Sequence, residues 1–176
     1  FTYDAGSMIR FIIEAICRDG NACLNICMKP DGSIEDACVA MLEEVGQWMS
    51  LNGEAVYGSK AWTTLGEGEV VNGKLKCLPG GGLGKKHAEF EFDSQDIRFT
   101  VGKNGALYAF TMNVPEEGIT IHSMAKGSKY LEGKKIRSVS LLGYNGKLRW
   151  KQTADGLVIT YPKGVNLKTS AVLKIS

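Results

Sequence analysis

The spacing of apolar residues changes about one third of the way along the chain, from a helical period to a period of two. In the first part, Ser7 is predicted to cap a helix, with Arg10, Glu14 and Arg18 stacked on the face opposite the apolar one. Asp19-Gly20-Asn21 is predicted to end this helix. Its apolar face comprises Ile9, Ile12, Ile13, Ile16 and Cys17.

A nearly all-apolar run follows from Ala22 to Cys27, which is typical of a strand buried on both faces in a parallel sheet. Ser33 and Asp36 then resemble a capping box that begins a second helix. Asn52-Gly53 is predicted to end it, and Gly46 inside it is expected to be compensated by close packing on a neighbour. The apolar stripe of this helix comprises Cys38, Met41, Leu42, Val45, Trp48 and Met49.

The order of helix, buried strand and helix is that of an α/β barrel or a doubly wound sheet. One strand cannot satisfy its own backbone N–H and C=O groups. We therefore expect residues 22–27 to complete a sheet whose other strands lie outside the chain. The opening Phe1-Thr2-Tyr3-Asp4, without an initiator Met or a signal sequence, likewise predicts a piece of a longer protein.

From about Lys85 onward, apolar and polar residues alternate, as in Ile97 to Val101. Asn104-Gly105 predicts a hairpin turn, and Asn145-Gly146 and Asp155-Gly156 predict two more turns. Short strands with such turns indicate an antiparallel β-sandwich. Strands are also predicted around Tyr108 to Met112, Ile119 to Met124, Ile136 to Leu142, Leu148 to Gln152, Leu157 to Tyr161 and Ala171 to Ile175.

Composition narrows the classes of partner. The formal net charge is +2 with acids and bases interspersed, so a nucleic-acid or anionic-membrane partner is not expected. No apolar run reaches the roughly 20 residues that span a bilayer. Five cysteines without a C-x-x-C pair, and two distant histidines, argue against a zinc site or a disulfide scaffold.

Two polar motifs have a structural interpretation that is favoured over a functional one. Gly80 to Lys86 resembles a phosphate-binding loop, but its spacing is one residue short and no Ser or Thr follows the lysine, so a surface loop is expected. Glu89, Glu91 and Asp93 could bind calcium or flank a glycosidic bond. The solvated face of an edge strand is the commoner use of such a row.

Aromatic residues offer a second kind of candidate site. Trp62, Trp150, Tyr108 and Tyr144 could stack on sugar rings, although a core position is favoured for Trp150. Trp62 is a candidate for sealing a joint between two domains. His122 is expected to be structural or exposed, and no Ser-His-Asp or Cys-His set can be assembled.

Residues Gly20 to Trp62 resemble the α-L-fucosidases of glycoside hydrolase family twenty-nine near the end of their catalytic domain. That family reads Gly-Asn-Leu-Leu-Leu-Asn-(Ile/Val)-Gly-Pro, Asp-Gly-x-Ile, Gly-x-Trp and Asn-Gly-Glu-Ala-Ile-Tyr-Gly-(Thr/Ser)-x-x-Trp. The chain departs from it at Ala22-Cys23 and at Cys27-Met28, where the family has Leu-Leu and Gly-Pro. The matching residues are Gly20, Asn21, Leu24, Asn25, Asp31, Gly32, Ile34, Gly46, Trp48, the run from Asn52 to Ser59, and Trp62.

The resemblance implies an α/β part followed by an all-β part: residues 1–60 as the end of a (β/α)8-type catalytic barrel and residues 61–176 as a C-terminal antiparallel β-sandwich. It implies a retaining hydrolase of terminal fucose, with an Asp nucleophile and a Glu acid/base, both upstream of this chain. No residue here is assigned a catalytic role, and no cofactor or metal is implied. Asn25, Met28 and Lys29 are expected to line the substrate site at the end of the last barrel strand.

The resemblance also implies the partners and compartment. These are fucosylated glycans, the remainder of the catalytic barrel, and a periplasmic, secreted or lysosomal location. The alternative is a non-catalytic carbohydrate-binding or purely structural β-sandwich module.

Overall fold

The computed structural model describes residues 4–68 and 92–176. Two short 3-10 turns, at His122–Met124 and Lys129–Leu131, accompany the helices and strands. No helix in these two ranges is long and apolar enough to cross a membrane. The elements are α1 (Ala5–Ile16), α2 (Asp36–Val56), β1 (Lys60–Glu67), β2 (Ile97–Val101), β3 (Leu107–Thr111), β4 (Gly118–Ile121), β5 (Val139–Leu141), β6 (Arg149–Gln152), β7 (Leu157–Thr160) and β8 (Val172–Ile175).

The strands form two antiparallel sheets, with orders β1-β2-β3-β8-β5 and β4-β7-β6. Side chains from both sheets meet in one buried cluster, which includes Phe99 and Leu173 from the first sheet and Ile121 and Leu157 from the second. The alternation along the strands turns one face of each sheet toward this cluster. The predicted antiparallel β-architecture is therefore confirmed.

The strands predicted from Ile97 onward are present, and most are shorter than the patterns that indicated them. Asn104 and Gly105 lie in the β2–β3 turn, which the N–H of Gly102 closes by donating to the C=O of Ala106, 2.9 Å away. Asn145-Gly146 connects strands of different sheets, so it is not a hairpin turn. Its neighbours β5 and β6 are separated because the chain crosses the sandwich between them.

Strand β1 has no counterpart in the predictions. Its register against β2 shifts between Ala61 and Gly66, which breaks the alternation that a regular strand would show. A Cβ on Gly66 would lie 2.1 Å from the C=O oxygen of Ile97, so only glycine fits there.

Helix α1 begins one turn earlier than its predicted cap. Asp4, not Ser7, is the N-cap: its carboxylate accepts from the N–H of Ser7 at 2.7 Å and from the Ser7 hydroxyl at 3.0 Å. The N–H of Ser7 holds the pKa of Asp4 below its usual value. Ser7 was a plausible cap by residue type, but the carboxylate three residues earlier satisfies the free amide.

Helix α2 also differs from its prediction at both ends. Ser33 makes no capping box, because its N–H and hydroxyl both donate to Asp31. Glu35 is the N-cap and makes no side-chain cap bond. The helix passes through Asn52, whose buried amide donates to the C=O of Trp48 at 3.0 Å, and continues to Val56. Satisfied in this way, Asn52 does not end the helix.

Both helices pack on the outer face of the five-stranded sheet. The rings of Trp48 on α2 and Phe110 on β3 lie 6.4 Å apart. Met8 and Ile13 of α1 belong to the same buried cluster, which Val172 joins from β8. The predicted apolar stripes thus face the sheet, while the domain boundary at residues 60 and 61 stays a prediction.

The charged face predicted for α1 includes one buried residue, although Arg18 on the same face is exposed. Glu14 is buried, and its carboxylate contacts Arg98 Nε at 2.6 Å and Arg18 Nη2 at 2.8 Å. Arg98 is fully buried in β2, and its Nη1 also donates to the C=O of Ile97 at 3.1 Å. Because α1 covers β2, the residues that alternate with the apolar ones are buried as well.

The thiol of Cys17 lies near this pair. Its desolvation by burial, with a further contribution from the charge of Glu14, raises the pKa of Cys17 to about 12.

Gly46 does not pack closely on a neighbour. It is exposed on α2, and within the described part of the chain no atom would lie within 4 Å of a Cβ added there. The expectation that close packing compensates for Gly46 is therefore wrong within this structure, because its side of the helix faces away from the sheet.

We predict that Glu14→Gln lowers the free energy of unfolding by about 3–5 kcal/mol, because the buried Arg98 would lose its charged partner. Urea unfolding, monitored by circular dichroism, measures this change. Glu44→Gln is the matched control: Glu44 pairs with Lys168 at 3.7 Å on the surface, and its loss should cost less than about 1 kcal/mol. Equal losses for the two variants would contradict a structural role for the buried pair.

Candidate functional site

Residues 21–27, here called the connecting segment, join α1 to α2 and follow an alternating pattern of exposure. Leu24 and Ile26 are partly buried and pack against the cluster between the helices and the sheet. Cys23, Asn25 and Cys27 are exposed on the other side. The helices cover one face of the segment, and none of residues 4–68 and 92–176 buries the other. Burial of that second face, which the prediction assigns to strands outside the chain, stays a prediction.

The backbone of the connecting segment has no hydrogen-bond partner within residues 4–68 and 92–176. It forms no ladder with the described strands, and pairing begins only beyond it, at an isolated antiparallel bridge between Met28 and Ile34. The predicted strand over residues 22–27 is thus not formed in this structure. Its residue types and alternation suit a strand, but a strand needs a neighbour to pair with.

Of the three predicted site residues, Asn25 lies near the C-terminal end of the connecting segment, and Met28 and Lys29 directly follow that end. Asn25 and Lys29 are exposed, and Met28 is 70% exposed. The N–H of Lys29 donates to the C=O of Ser33 at 2.8 Å, which closes the following turn. The fold therefore collects the three side chains on one accessible stretch of backbone. Their contact with a substrate stays a prediction.

The predicted row of carboxylates is only partly described. Glu89 and Glu91 lie outside the described residues, as does the loop from Gly80 to Lys86. The carboxylate of Asp93 accepts from the N–H groups of Gln95 and Asp96, at 2.7 and 3.0 Å. Asp93 therefore stabilises a turn before β2, which is the structural use of this residue.

Trp62 and Trp150 pack against the sandwich. Trp62 lies edge-on to Phe99 with ring centroids 5.0 Å apart and contacts Tyr130 at 5.9 Å. Trp62 therefore packs against the cluster between the two sheets. The prediction that it fills the interface between the helical part and the sandwich is wrong for this structure. Trp150 is half-buried against the same cluster, in line with the expected core position.

The remaining aromatic and histidine candidates have ordinary surroundings. Tyr108 is fully buried, and its hydroxyl accepts from the Asn104 amide at 3.3 Å. Tyr144 is half-buried at the edge of an open cleft of about 570 Å³. His122 is exposed, as expected, with its Nδ1 2.9 Å from the C=O oxygen of Asp155.

Two family profiles match the chain and together cover most of it. One is described as alpha-L-fucosidase and matches residues 2–54. The other is described as alpha-L-fucosidase C-terminal domain and matches residues 91–176. The chain belongs to the α-L-fucosidase family. It corresponds to the C-terminal part of the family's members, and the predicted resemblance is confirmed.

Curated relatives agree with this membership. Tissue α-L-fucosidase of Rattus norvegicus is 27% identical over 164 residues, which are 91% of this chain and 28% of that protein. The Homo sapiens enzyme of the same name is 26% identical over 162 residues, again 91% and 28% of the two chains. This member of the α-L-fucosidase family thus spans little more than a quarter of the length of those relatives.

Solved structures share the fold over nearly the whole chain. The α-fucosidase of Thermotoga maritima has a TM-score of 0.71 at 20% identity, over 99% of this chain and 35% of the other. α-L-Fucosidase isoenzyme 1 from Paenibacillus thiaminolyticus has a TM-score of 0.68 at 19% identity, over 99% and 34%. The shared fold of this α-L-fucosidase family member therefore includes its helices as well as its sheets.

Sequence reasoning missed the buried Glu14–Arg98 pair, which fixes α1 on the sheet next to the connecting segment. One signal was available. An arginine between Ile97 and Phe99, in the middle of an apolar strand, calls for a buried acidic partner if both faces of the strand are covered.

Proposed function

We propose that this chain is the C-terminal part of an α-L-fucosidase that removes terminal fucose from glycans. In this proposal the connecting segment supplies the last strand of a (β/α)8-type catalytic barrel, and the sandwich supports that barrel from outside. Membership of the family supports the activity, and coverage of 28% of the length of the Rattus norvegicus relative supports the need for further protein.

The unpaired connecting segment is the observation that carries the proposal. Both of its backbone edges are without partners in the described part of the chain, and its apolar residues alternate as they do along a strand. A strand with a helix before it and a helix after it is the repeating unit of a parallel barrel. Two flanking parallel strands would pair both edges at once, and the inward-pointing side chains of a closed barrel would cover the exposed face of the segment.

Three of the described carboxylates, Glu14, Asp93 and Glu54, already have structural partners, which supports a catalytic pair located elsewhere. Glu14 is held by Arg98 and Arg18, and Asp93 stabilises a turn. Glu54 pairs with Lys174 at 3.1 Å. The retaining mechanism implied by the resemblance needs two carboxyl groups about 5–5.5 Å apart on either side of the bond that is cleaved. We infer that both come from the upstream part of the barrel.

We further propose that Asn25, Met28 and Lys29 line the edge of the substrate site. Barrel enzymes hold their active sites at the C-terminal ends of the strands, and these three residues lie at that end of the connecting segment. Their exposure leaves them available to a glycan. The remainder of the barrel and a fucosylated glycan are the partners, in a periplasmic, secreted or lysosomal compartment.

We predict that the purified 176-residue chain does not hydrolyse an aryl α-L-fucoside, because both carboxyl groups that the reaction needs lie outside it. Release of the aryl alcohol, followed by absorbance, measures the turnover. A complete α-L-fucosidase assayed in parallel is the positive control. Turnover by the chain above a heat-denatured sample would contradict the placement of the catalytic pair.

In the complete enzyme, Lys29→Ala is predicted to lower kcat/KM by about tenfold, the loss expected for one hydrogen bond from a charged group to the substrate. Steady-state kinetics on the aryl fucoside measure the change. Lys60→Ala is the control, because Lys60 is an exposed lysine at the start of β1. Its neighbour Ala61 bonds to Asp19, which precedes the N-terminal end of the connecting segment, opposite the end that carries Lys29. An unchanged kcat/KM for Lys29→Ala would remove this residue from the site.

A further inference from the structure

Helix α2 carries two rows of uncharged residues at the spacing of three and four by which one helix packs on another. The first row is buried, and its apolar members share one cluster with α1 and the five-stranded sheet; it comprises Cys38, Met41, Val45, Trp48, Asn52 and Ala55. Each residue of the second row directly follows one of the first, so the second row lies about 100° further around the helix. This row, here called the second seam, comprises Val39, Leu42, Gly46, Met49, Gly53 and Val56.

The second seam is covered along one side and open along the other within the described residues. Leu42 and Met49 are partly buried and pack against the cluster that the connecting segment also joins. Val39 is 39% exposed, and Gly46 is exposed with no described atom within 4 Å of an added Cβ. The open side of the seam therefore lies next to the side that faces the connecting segment.

The residue types of the second seam suit contact with another helix. None of the six is charged, and the acidic residues of α2 lie outside the seam, at Asp36, Glu43, Glu44 and Glu54. Glycine inside a helix lowers helix stability relative to alanine, and nothing in the described residues offsets that cost at Gly46. The ring of Tyr57, 67% exposed, lies against Gly53, where an added Cβ would be 3.0 Å from it. Gly46 is thus the position at which a second helix can approach most closely.

The place of the second seam in the chain indicates which helix covers it. Helix α2 follows the connecting segment, whose backbone edges have no partners within the described residues. A strand that pairs with this segment in a parallel sheet is joined to its neighbours by crossover helices, and one of these lies beside α2. The chain covers 28% of the length of the Rattus norvegicus relative, so that protein has further chain in which such a helix can lie.

We propose that the second seam of α2 contacts an apolar helix from the upstream part of the same protein, with a large side chain of that helix filling the space above Gly46. The proposal rests on the part of the proposed function that places the remainder of a barrel upstream. It does not depend on the hydrolase activity.

Gly46→Leu tests the proposal, because it should have opposite effects on the two lengths of the protein. In the 176-residue chain, residue 46 faces open space, and leucine is the better helix former, so Tm should rise by about 2–4 °C. In the complete protein the added side chain would displace the upstream helix, so Tm should fall. Differential scanning calorimetry measures both. A rise in both proteins, or a fall in both, would overturn the proposal.

Two further variants make the comparison specific to the seam. Gly46→Ala keeps the added volume small: it should raise the Tm of the chain and lower that of the complete protein by less than Gly46→Leu does. Ala40→Leu is the matched control, because Ala40 is exposed on another face of α2, and it should change neither Tm by more than about 1–2 °C. Opposite shifts with Ala40→Leu as large as those with Gly46→Leu would overturn the assignment of the seam.

Sedimentation of the 176-residue chain distinguishes an upstream helix from a second copy of the chain. We expect a monomer, or an association that Gly46→Leu leaves unchanged. A dimer that Gly46→Leu abolishes would overturn the upstream helix and assign the seam to a second copy. A complete protein that does not hydrolyse an aryl fucoside would refute the proposed function alone, since the comparison of Tm values does not use turnover.

Discussion

The constraint on which this structure depends is that an extended backbone must pair its N–H and C=O groups or expose them to water. The eight strands of the described residues meet it within two antiparallel sheets. The connecting segment has no such pairing within the described residues, although its residues alternate as the strands do. That difference separates the described strands that pair among themselves from the segment that we propose belongs to a larger barrel.

Polar contacts hold the helices on either side of the segment at fixed positions on the sheet. Arg98 binds Glu14 of α1, and Arg10 Nε donates to the C=O of Met112 at 2.8 Å. The hydroxyl of Thr100 donates to the C=O of Ala55 at the end of α2, at 3.0 Å. Since both helices are held in this way, the segment between them is positioned by the sandwich. We infer that the sandwich supports a barrel by this route, because it orients the strand that a barrel would pair.

Periodicity predicted the helices and turns whose formation depends on residues close together in the sequence. Spacing predicted the apolar faces of α1 and α2. Turn chemistry predicted the turns at Asn104-Gly105 and Asp155-Gly156. Tertiary contacts decided the remainder. From the sequence alone Glu14 is expected to be solvated, and only the packing of α1 on β2 shows that it is buried. Strand β1 was not predicted because the register shift before Gly66 interrupts its alternation. For the candidate site, the residue types of Asn25, Met28 and Lys29 carry no distinctive chemistry. Only the family resemblance singled them out, and periodicity could not.

The most direct test of the central claim is hydrogen–deuterium exchange of the 176-residue chain, resolved to the amides of residues 22–27. The account predicts that these amides exchange about as fast as those of an unstructured peptide, while the amides of β2, β3 and β8 are strongly protected. Protection of residues 22–27 in this chain alone, at a level similar to that of β3, would contradict the claim that their partners lie outside it.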